Sequence, residues 1–153
     1  MARAMADVDG VVVRATGFYS AFAGLLPLAR RGLLLDVGDG AVRTNPIDEH
    51  DLAAIVAESV VGDGPREIAA GGPEVLTRRA IFEQVAAVAG RPGTVRRMPG
   101  WLAGPAAAAL ALVHPRIGQF ARFAALLARH DLIAPALGSR TLAHYLQELP
   151  AAA

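Results

Sequence analysis

The sequence predicts an α/β domain that ends in a helical section, and three observations carry that prediction. Short apolar runs that suit strands alternate with amphipathic, helix-like stretches as far as about residue 98. From Trp101 onward the chain is rich in Ala and Leu and has no further strand-like run. The length of 153 residues suits one domain with a sizeable core. We therefore expect a single domain over 1–153, with an α/β part over 1–98 and a helical part over 99–153.

Residues 10–44 predict, in order, a strand, a helix, a second strand and the hairpin partner of that second strand. Residues 10–14 include consecutive valines, which is typical of a strand buried on both faces. Residues 18–31 predict a helix that Pro27 kinks or breaks. Residues 33–35 predict a short strand, and residues 41–44 predict its partner across a glycine-rich turn.

The central helix is predicted over residues 49–61. Asp48 is a good N-cap residue, and Asp51 stands where a capping box places its second partner. An apolar stripe along the helix indicates the face that packs on the core. Its members are Leu52, Ile55, Val56 and Val60.

The later elements continue the alternation and then become helical. Residues 67–70 and 94–98 predict strands, and Thr77 predicts the cap of a helix between them. The apolar run 101–113 is too short to span a bilayer and predicts a buried helix. Ser139 predicts the cap of the last helix. The apolar stripes of the three later helices are Ile81, Phe82, Val85 and Val88; Ile117, Phe120, Phe123 and Leu127; and Leu142, Tyr145, Leu146 and Leu149.

Composition excludes several classes of function. A net charge of +1 gives no electrostatic reason to expect nucleic acid or an anionic membrane as partner. The absence of Cys excludes thiol nucleophiles, and all fifteen basic residues are Arg, which excludes a catalytic Lys within this chain. No secretory signal is recognisable, so the expected location is the cytoplasm. The scattered histidines predict no metal site.

Three motifs in order carry a resemblance to a known family. They are Arg14-Ala15-Thr16-Gly17-Phe18, then Ile47 through Asp51-Leu52-Ala53, then the segment from Gly71 to Thr77. Together they resemble the C-terminal half of the NAD(P)-binding short-chain dehydrogenases and reductases of the atypical or extended type. That group includes NmrA-like and epimerase-like members. Ala15 stands where the family usually has Pro.

The resemblance implies a fold, a cofactor and site residues. The fold is the C-terminal portion of a Rossmann-like doubly wound sheet, with few parallel strands and a helical substrate subdomain. The implied cofactor is NAD(P), with Arg14, Ala15, Thr16, Gly17 and Phe18 on the nicotinamide side. The implied ligand is a small-molecule substrate. Its candidate contacts are Tyr19, Phe22 and Trp101.

The sequence has neither the family's glycine-rich fingerprint nor its Tyr-Lys pair. In that family the fingerprint lies at the first strand–helix turn of the whole fold, where its glycines let the backbone approach the pyrophosphate. We therefore expect the substrate-binding portion of an oxidoreductase or epimerase, inactive by itself. The alternative is a non-catalytic binding or protein-interaction module. In either case residues 10–14 form an unpaired strand edge, which predicts a homodimer or a partner chain at that strand.

Several candidate residues have two interpretations. The turn at Thr16-Gly17-Phe18 either lines a ligand pocket or simply joins a strand to a helix whose aromatic residues lie in the core. Tyr19 either binds substrate or lies at the margin of the core, and we favour the margin. The cluster of Asp48, His50 and Asp51 is either helix capping or a base or metal site, and capping is favoured. Gly71-Gly72 is interpreted as an ordinary loop rather than a phosphate turn.

Overall fold

The computed structural model describes residues 10–61, 64–113, 119 and 130–149. Within these ranges the chain is a mixed α/β fold with short parallel strands. The strands are β1 (Val12–Ala15), β2 (Leu35–Val37), β3 (Arg43–Thr44), β4 (Glu67–Ala70), β5 (Leu76–Thr77) and β6 (Arg96–Met98). The helices are α1 (Tyr19–Ala23), α2 (Leu26–Arg30), α3 (Glu49–Val61), α4 (Arg78–Val88), α5 (Gly100–Val113) and α6 (Leu142–Glu148).

The strands pair in three couples, and one predicted pairing is wrong. β1 pairs with β4 and β2 pairs with β6, both in parallel, whereas β3 pairs with β5 antiparallel. The predicted hairpin between residues 33–35 and 41–44 therefore does not form. The N–H of Gly38 donates to the carbonyl of Met98 at 2.8 Å, so the chain leaving β2 continues beside β6 instead of turning back.

β1 is less buried than its valines predict. The expectation of cover on both faces is wrong, because Val12 and Val13 are only half-buried and Arg14 is exposed. Arg14 instead forms an ion pair with Glu67 on β4 at 3.0 Å. In the parts of the chain that the structure describes, β4 is the single neighbour of β1. One edge of β1 is consequently open there.

The predicted helix over 18–31 is divided into α1 and α2. Pro27 occupies the first turn of α2, where its missing N–H costs nothing, so the break at this proline is confirmed. Gly32 follows the C-cap of α2, and its φ of 67° allows Gly32 and Leu33 to donate back to Ala29 and Leu28. Gly90 follows the C-cap of α4 in the same way, with a φ of 73°. Both are Schellman motifs, which satisfy the last carbonyls of a helix.

The core lies where α1, α2, α4 and α6 pack together. Thr77 caps α4 by accepting from the N–H of Ala80 at 3.1 Å, which confirms the predicted cap. Ile81 and Val85 of the predicted α4 stripe are buried, whereas Val88 is 43% exposed. The buried members of this core are Tyr19, Leu26, Ala29, Leu34, Ile81, Val85, Ala86, Leu142 and Leu146.

α3 and α5 contribute much less to the core than predicted. The stripe of α3 is not buried, because Val60 is 78% exposed and none of the helix's residues is buried. Among the α5 side chains that the structure describes, only Ala103 and Ala107 are buried, while Trp101 is 76% exposed. The stripe predicted over 117–127 lies outside the described residues. No described helix combines the length and apolar character needed to cross a membrane.

Candidate functional site

The candidate site lies at the carboxyl ends of the parallel strands β1 and β4. Thr16 follows β1 and donates from its backbone to Ala70, the last residue of β4, at 3.3 Å. The Thr16 hydroxyl donates to the carbonyl of Asn45 at 2.6 Å, and Ile47 donates to Gly17 at 2.9 Å. The turn after β1 is thereby attached to residues 45–48. In α/β proteins, ligands bind in the crevice outside the carboxyl ends of the strands.

Asn45 joins three segments at this edge. Its amide nitrogen donates to the carbonyls of Gly72 at 3.1 Å and Ala134 at 2.8 Å. Its amide oxygen accepts from the N–H of Ala134 at 3.0 Å. Asn45 is 1% exposed, so these bonds have no competition from water. The side chain fixes the position of residues 134–140 against the end of β4.

Gly71 and Gly72 are required by the closeness of this packing. A Cβ on Gly71 would lie 2.1 Å from the Asn45 amide nitrogen, and a Cβ on Gly72 would lie 2.0 Å from the Pro46 carbonyl oxygen. Their backbones are also engaged, since Gly71 donates to Pro135 at 2.9 Å and Gly72 donates to Asn45 at 2.8 Å. With these N–H groups already bonded, the favoured interpretation of a structural loop agrees with the geometry.

Asp48 acts as the predicted cap and also forms a buried ion pair. It is 1% exposed, and its carboxylate accepts from the N–H of His50 at 2.8 Å. Its other oxygen accepts from the Arg140 guanidinium at 2.7 Å. Burial opposes ionisation of this carboxyl group, but the hydrogen bonds from His50 and Arg140 outweigh it and lower the pKa of Asp48.

Asp51 does not complete a capping box. Its carboxylate accepts from the N–H groups of Ser139 at 2.6 Å and Arg140 at 3.1 Å, and from the Ser139 hydroxyl at 3.1 Å. Burial opposes its ionisation, but these bonds lower the pKa of Asp51 overall. Ser139 consequently does not cap α6 as predicted. Thr141 does so, by accepting from the N–H of His144 at 3.3 Å.

Tyr19 lies inside the core rather than at its margin. It is 1% exposed, and its hydroxyl donates to the carbonyl of Arg140 at 2.7 Å. Burial raises the pKa of Tyr19 to about 12, with help from the nearby carboxylates of Glu74 and Asp48. Its ring lies 5.4 Å from the ring of Tyr145. A phenol held in this way is a structural donor and a poor acid at neutral pH.

His50 is the member of the acidic cluster that faces solvent. Its side chain is 91% exposed, and its Nδ1 lies 3.1 Å from the Asp48 carboxylate. This contact leaves Nε2 directed away from Asp48, as in an aspartate-oriented histidine base. Asp48 and Asp51 are already satisfied, so they are weak candidates for proton transfer. Among the described residues no group of three or more acidic or histidine side chains suits a metal ion.

The structure brings together some of the predicted site residues and separates others. Thr16, Gly17 and Phe18 form the turn at the carboxyl end of β1, and Phe18 is 41% exposed there, so its predicted place in the core is wrong. Arg14 and Ala15 belong to β1 itself, and Phe22 packs half-buried against the core. Trp101 follows β6, in a different pair of strands from β1 and β4.

Sequence reasoning missed Asn45 and Arg140. Asn45 precedes a proline and resembles any loop residue, and Arg140 lies 92 positions from its partner Asp48. It also missed the buried ion pair between Arg78 and Asp36, at 2.6 Å. A buried asparagine or arginine is recognised by its surroundings, which a single sequence does not contain. No known family model matches the chain, and no curated protein matches it significantly.

Proposed function

We propose that this chain is the substrate-binding portion of an NAD(P)-dependent oxidoreductase or epimerase. The observation that supports the proposal most directly is the turn Thr16-Gly17-Phe18 at the carboxyl end of a parallel strand pair. This is where α/β proteins bind nucleotides and substrates. When bound, the cofactor would supply hydride transfer, and the chain would position the nicotinamide and the substrate.

The described residues fit the nicotinamide ring of the cofactor better than they fit its pyrophosphate. The Phe18 ring is 41% exposed and offers a face for a nicotinamide ring. The Thr16 hydroxyl is occupied by the Asn45 carbonyl, so its role would be to hold the turn. The N–H groups of Gly71 and Gly72 are bonded within the protein and do not form a pyrophosphate cradle. The nicotinamide side is therefore the part that this chain would bind.

Titration with nicotinamide mononucleotide, followed through backbone amide NMR shifts, tests this function. We expect weak, saturable shifts confined to residues 14–19, with a dissociation constant in the millimolar range. NADH and NADPH should bind no more tightly, because no glycine-rich turn adds contacts to the pyrophosphate. Phe18→Ala should abolish the shifts, whereas Val61→Ala, a change at a 90% exposed position of α3, should leave them unchanged.

The two possible failures of this experiment have different meanings. A micromolar dissociation constant for NADH or NADPH would show that the chain holds the pyrophosphate by another route. An absence of shifts at residues 14–19 would contradict the oxidoreductase function. It would favour the second candidate, a non-catalytic interaction module. The open edge of β1 in the described part of the chain supports that candidate.

A further inference from the structure

The backbone of β1 alternates between its partner strand and its other edge. The N–H of Val12 donates to the Arg66 carbonyl at 2.9 Å, and the N–H of Thr16 donates to the Ala70 carbonyl at 3.3 Å. Because the N–H and C=O groups of successive strand residues point to opposite sides, the even-numbered residues face β4 and the odd-numbered residues face the other edge. We call this second edge the outer edge of β1; its residues are Val11, Val13 and Ala15. No other strand lies on it in the ranges that the structure describes.

The two faces of the β1–β4 pair differ in polarity. The first face carries the ion pair between Arg14 and Glu67, at 3.0 Å, and both side chains are more than half exposed. The second face is apolar and at least half-buried, and its members are Val13, Ala15, Ile68 and Ala70. A strand that is added to the outer edge must therefore extend a polar face on one side and an apolar face on the other.

We propose that the outer edge of β1 pairs antiparallel with the same edge of a second copy of the chain, centred on Val13. A two-fold axis perpendicular to the sheet keeps each face continuous and joins like surfaces, as closed dimers do. The result is one four-stranded sheet with the two β1 strands in the middle. Gly10 of the second copy lies opposite Thr16 and adds no side chain beside the turn at the candidate site. This inference does not depend on the proposed function.

Hydrogen bonding and charge determine the register among the pairings that preserve both faces. With Val13 opposite Val13, all the outer-edge residues find partners within residues 11–15, and Arg14 lies opposite Val12, which its aliphatic stem covers. A centre at Arg14 would place two guanidinium groups directly opposite each other, which destabilises a strand pair. A centre at Val12 would leave the outer-edge groups of Ala15 without a partner from the described strand.

Cysteine cross-linking tests this register directly, because the chain has no Cys of its own. Val13→Cys should give a disulfide-linked dimer under mild oxidation, since opposite residues at a hydrogen-bonded position have Cα atoms about 5.5 Å apart. Val12→Cys or Arg14→Cys alone should not cross-link, because the two copies of each position lie diagonally, about 8 Å apart. A mixture of these two variants should cross-link after subunit exchange, because positions 12 and 14 lie opposite each other.

The control for chance collisions is Val60→Cys, at a position of α3 that is 78% exposed. At tens of micromolar, Val13→Cys should cross-link about tenfold faster than this control, because a preformed pair holds the two thiols at high effective concentration. Equal rates would overturn the proposal. So would cross-linking of Val12→Cys or Arg14→Cys alone at the rate of Val13→Cys. A wild-type monomer in light scattering would also overturn it and would leave the outer edge to a strand of a different protein.

Discussion

Arg140 shows how one side chain can give a cluster of acidic residues a structural role in place of a catalytic one. Its guanidinium contacts Asp48 and Glu148, lies 5.1 Å from the centre of the Tyr145 ring, and has a raised pKa through its bond to Asp48. With Asp51 bonded to the adjacent backbone, both aspartates near α3 serve as fixed anions. The cluster that resembles a catalytic site in the sequence is mainly a clamp that holds residues 139–140 against α3.

This clamp makes the stability of the fold sensitive to acid. The pKa values of Asp48 and Asp51 are lowered in the folded chain, so each ionised carboxylate stabilises it above the ordinary aspartate pKa of about 4. That contribution is lost as the pH falls through the lower folded values. We expect the thermal unfolding midpoint to drop as the pH falls below about 4, more steeply than in the variant Asp51→Asn.

The matched control for this pH dependence is Glu58→Gln, which changes an exposed carboxylate on α3. At pH 7, Asp51→Asn should be less stable than the wild type, and the difference should shrink in acid. Glu58→Gln should follow the wild type throughout. A constant difference between Asp51→Asn and the wild type at all pH values would contradict the assignment of Asp51.

For single residues, the sequence predicts the hydrogen bonds that are made between near neighbours in the chain. Asp48 is recognisable as a cap because its partner, the N–H of His50, lies two residues away. The bond from Ser139 to Asp51 spans 88 positions, and nothing in the local pattern around either residue signals it. The capping-box position of Asp51 therefore predicts the wrong partner, although it correctly marks a residue whose carboxylate accepts backbone hydrogen bonds.

The same distinction separates the elements that were predicted correctly from those that were not. α4 can be predicted from its own stretch of sequence, in which Thr77 is the N-cap and Ile81 and Val85 lie on the buried face. The partners of β2 and β3 depend on residues about 60 and 33 positions away, and the nearest apolar run is not the correct one. For α3 the sequence correctly predicts a helix, but the predicted apolar stripe does not mark a buried face, because none of the residues of α3 is buried.

Close packing between segments makes Gly72 sensitive to the addition of a single methyl group. Gly72→Ala would place a Cβ 2.0 Å from the Pro46 carbonyl oxygen, so one of the two backbones must move. That movement would disturb the bonds of Asn45 to Gly72, and we expect a loss of about 2–4 kcal/mol of unfolding free energy, measured by urea denaturation. Gly64→Ala, with no atom within 4 Å of the added carbon, is the control and should be tolerated. Equal stabilities of the two variants would contradict the packing described for Gly72.

For the whole molecule, the edge of β1 that is open in the described ranges predicts the state of association. One side of Val12–Ala15 pairs with β4, and in the ranges described the other side has no strand. An unpaired apolar edge is a template for another chain, so we expect a dimer or larger species in light scattering coupled to size exclusion. Val12→Lys should shift this population toward monomer and raise solubility.

The outcome of Val12→Lys also distinguishes an edge from a covered strand. If β1 were covered on both sides, the buried charge would cost several kcal/mol and unfold the protein. Val60→Lys, at a position of α3 that is 78% exposed, controls for the added charge and should leave the association unchanged. A stable wild-type monomer at tens of micromolar would contradict an open edge.

The bonds of Asn45 to Ala134 have a consequence for biosynthesis. Asn45 and its partner Gly72 are made early, but its partner Ala134 lies 89 positions after Asn45. During translation, residues 45–72 leave the ribosome well before Ala134, which completes the hydrogen bonding of the Asn45 side chain. Until then solvent must replace Ala134 as the hydrogen-bond partner of the Asn45 amide. The site at the carboxyl ends of β1 and β4 is therefore incomplete until residue 134 has been made, and nonsense mutations upstream of Ala134 would leave it unfinished.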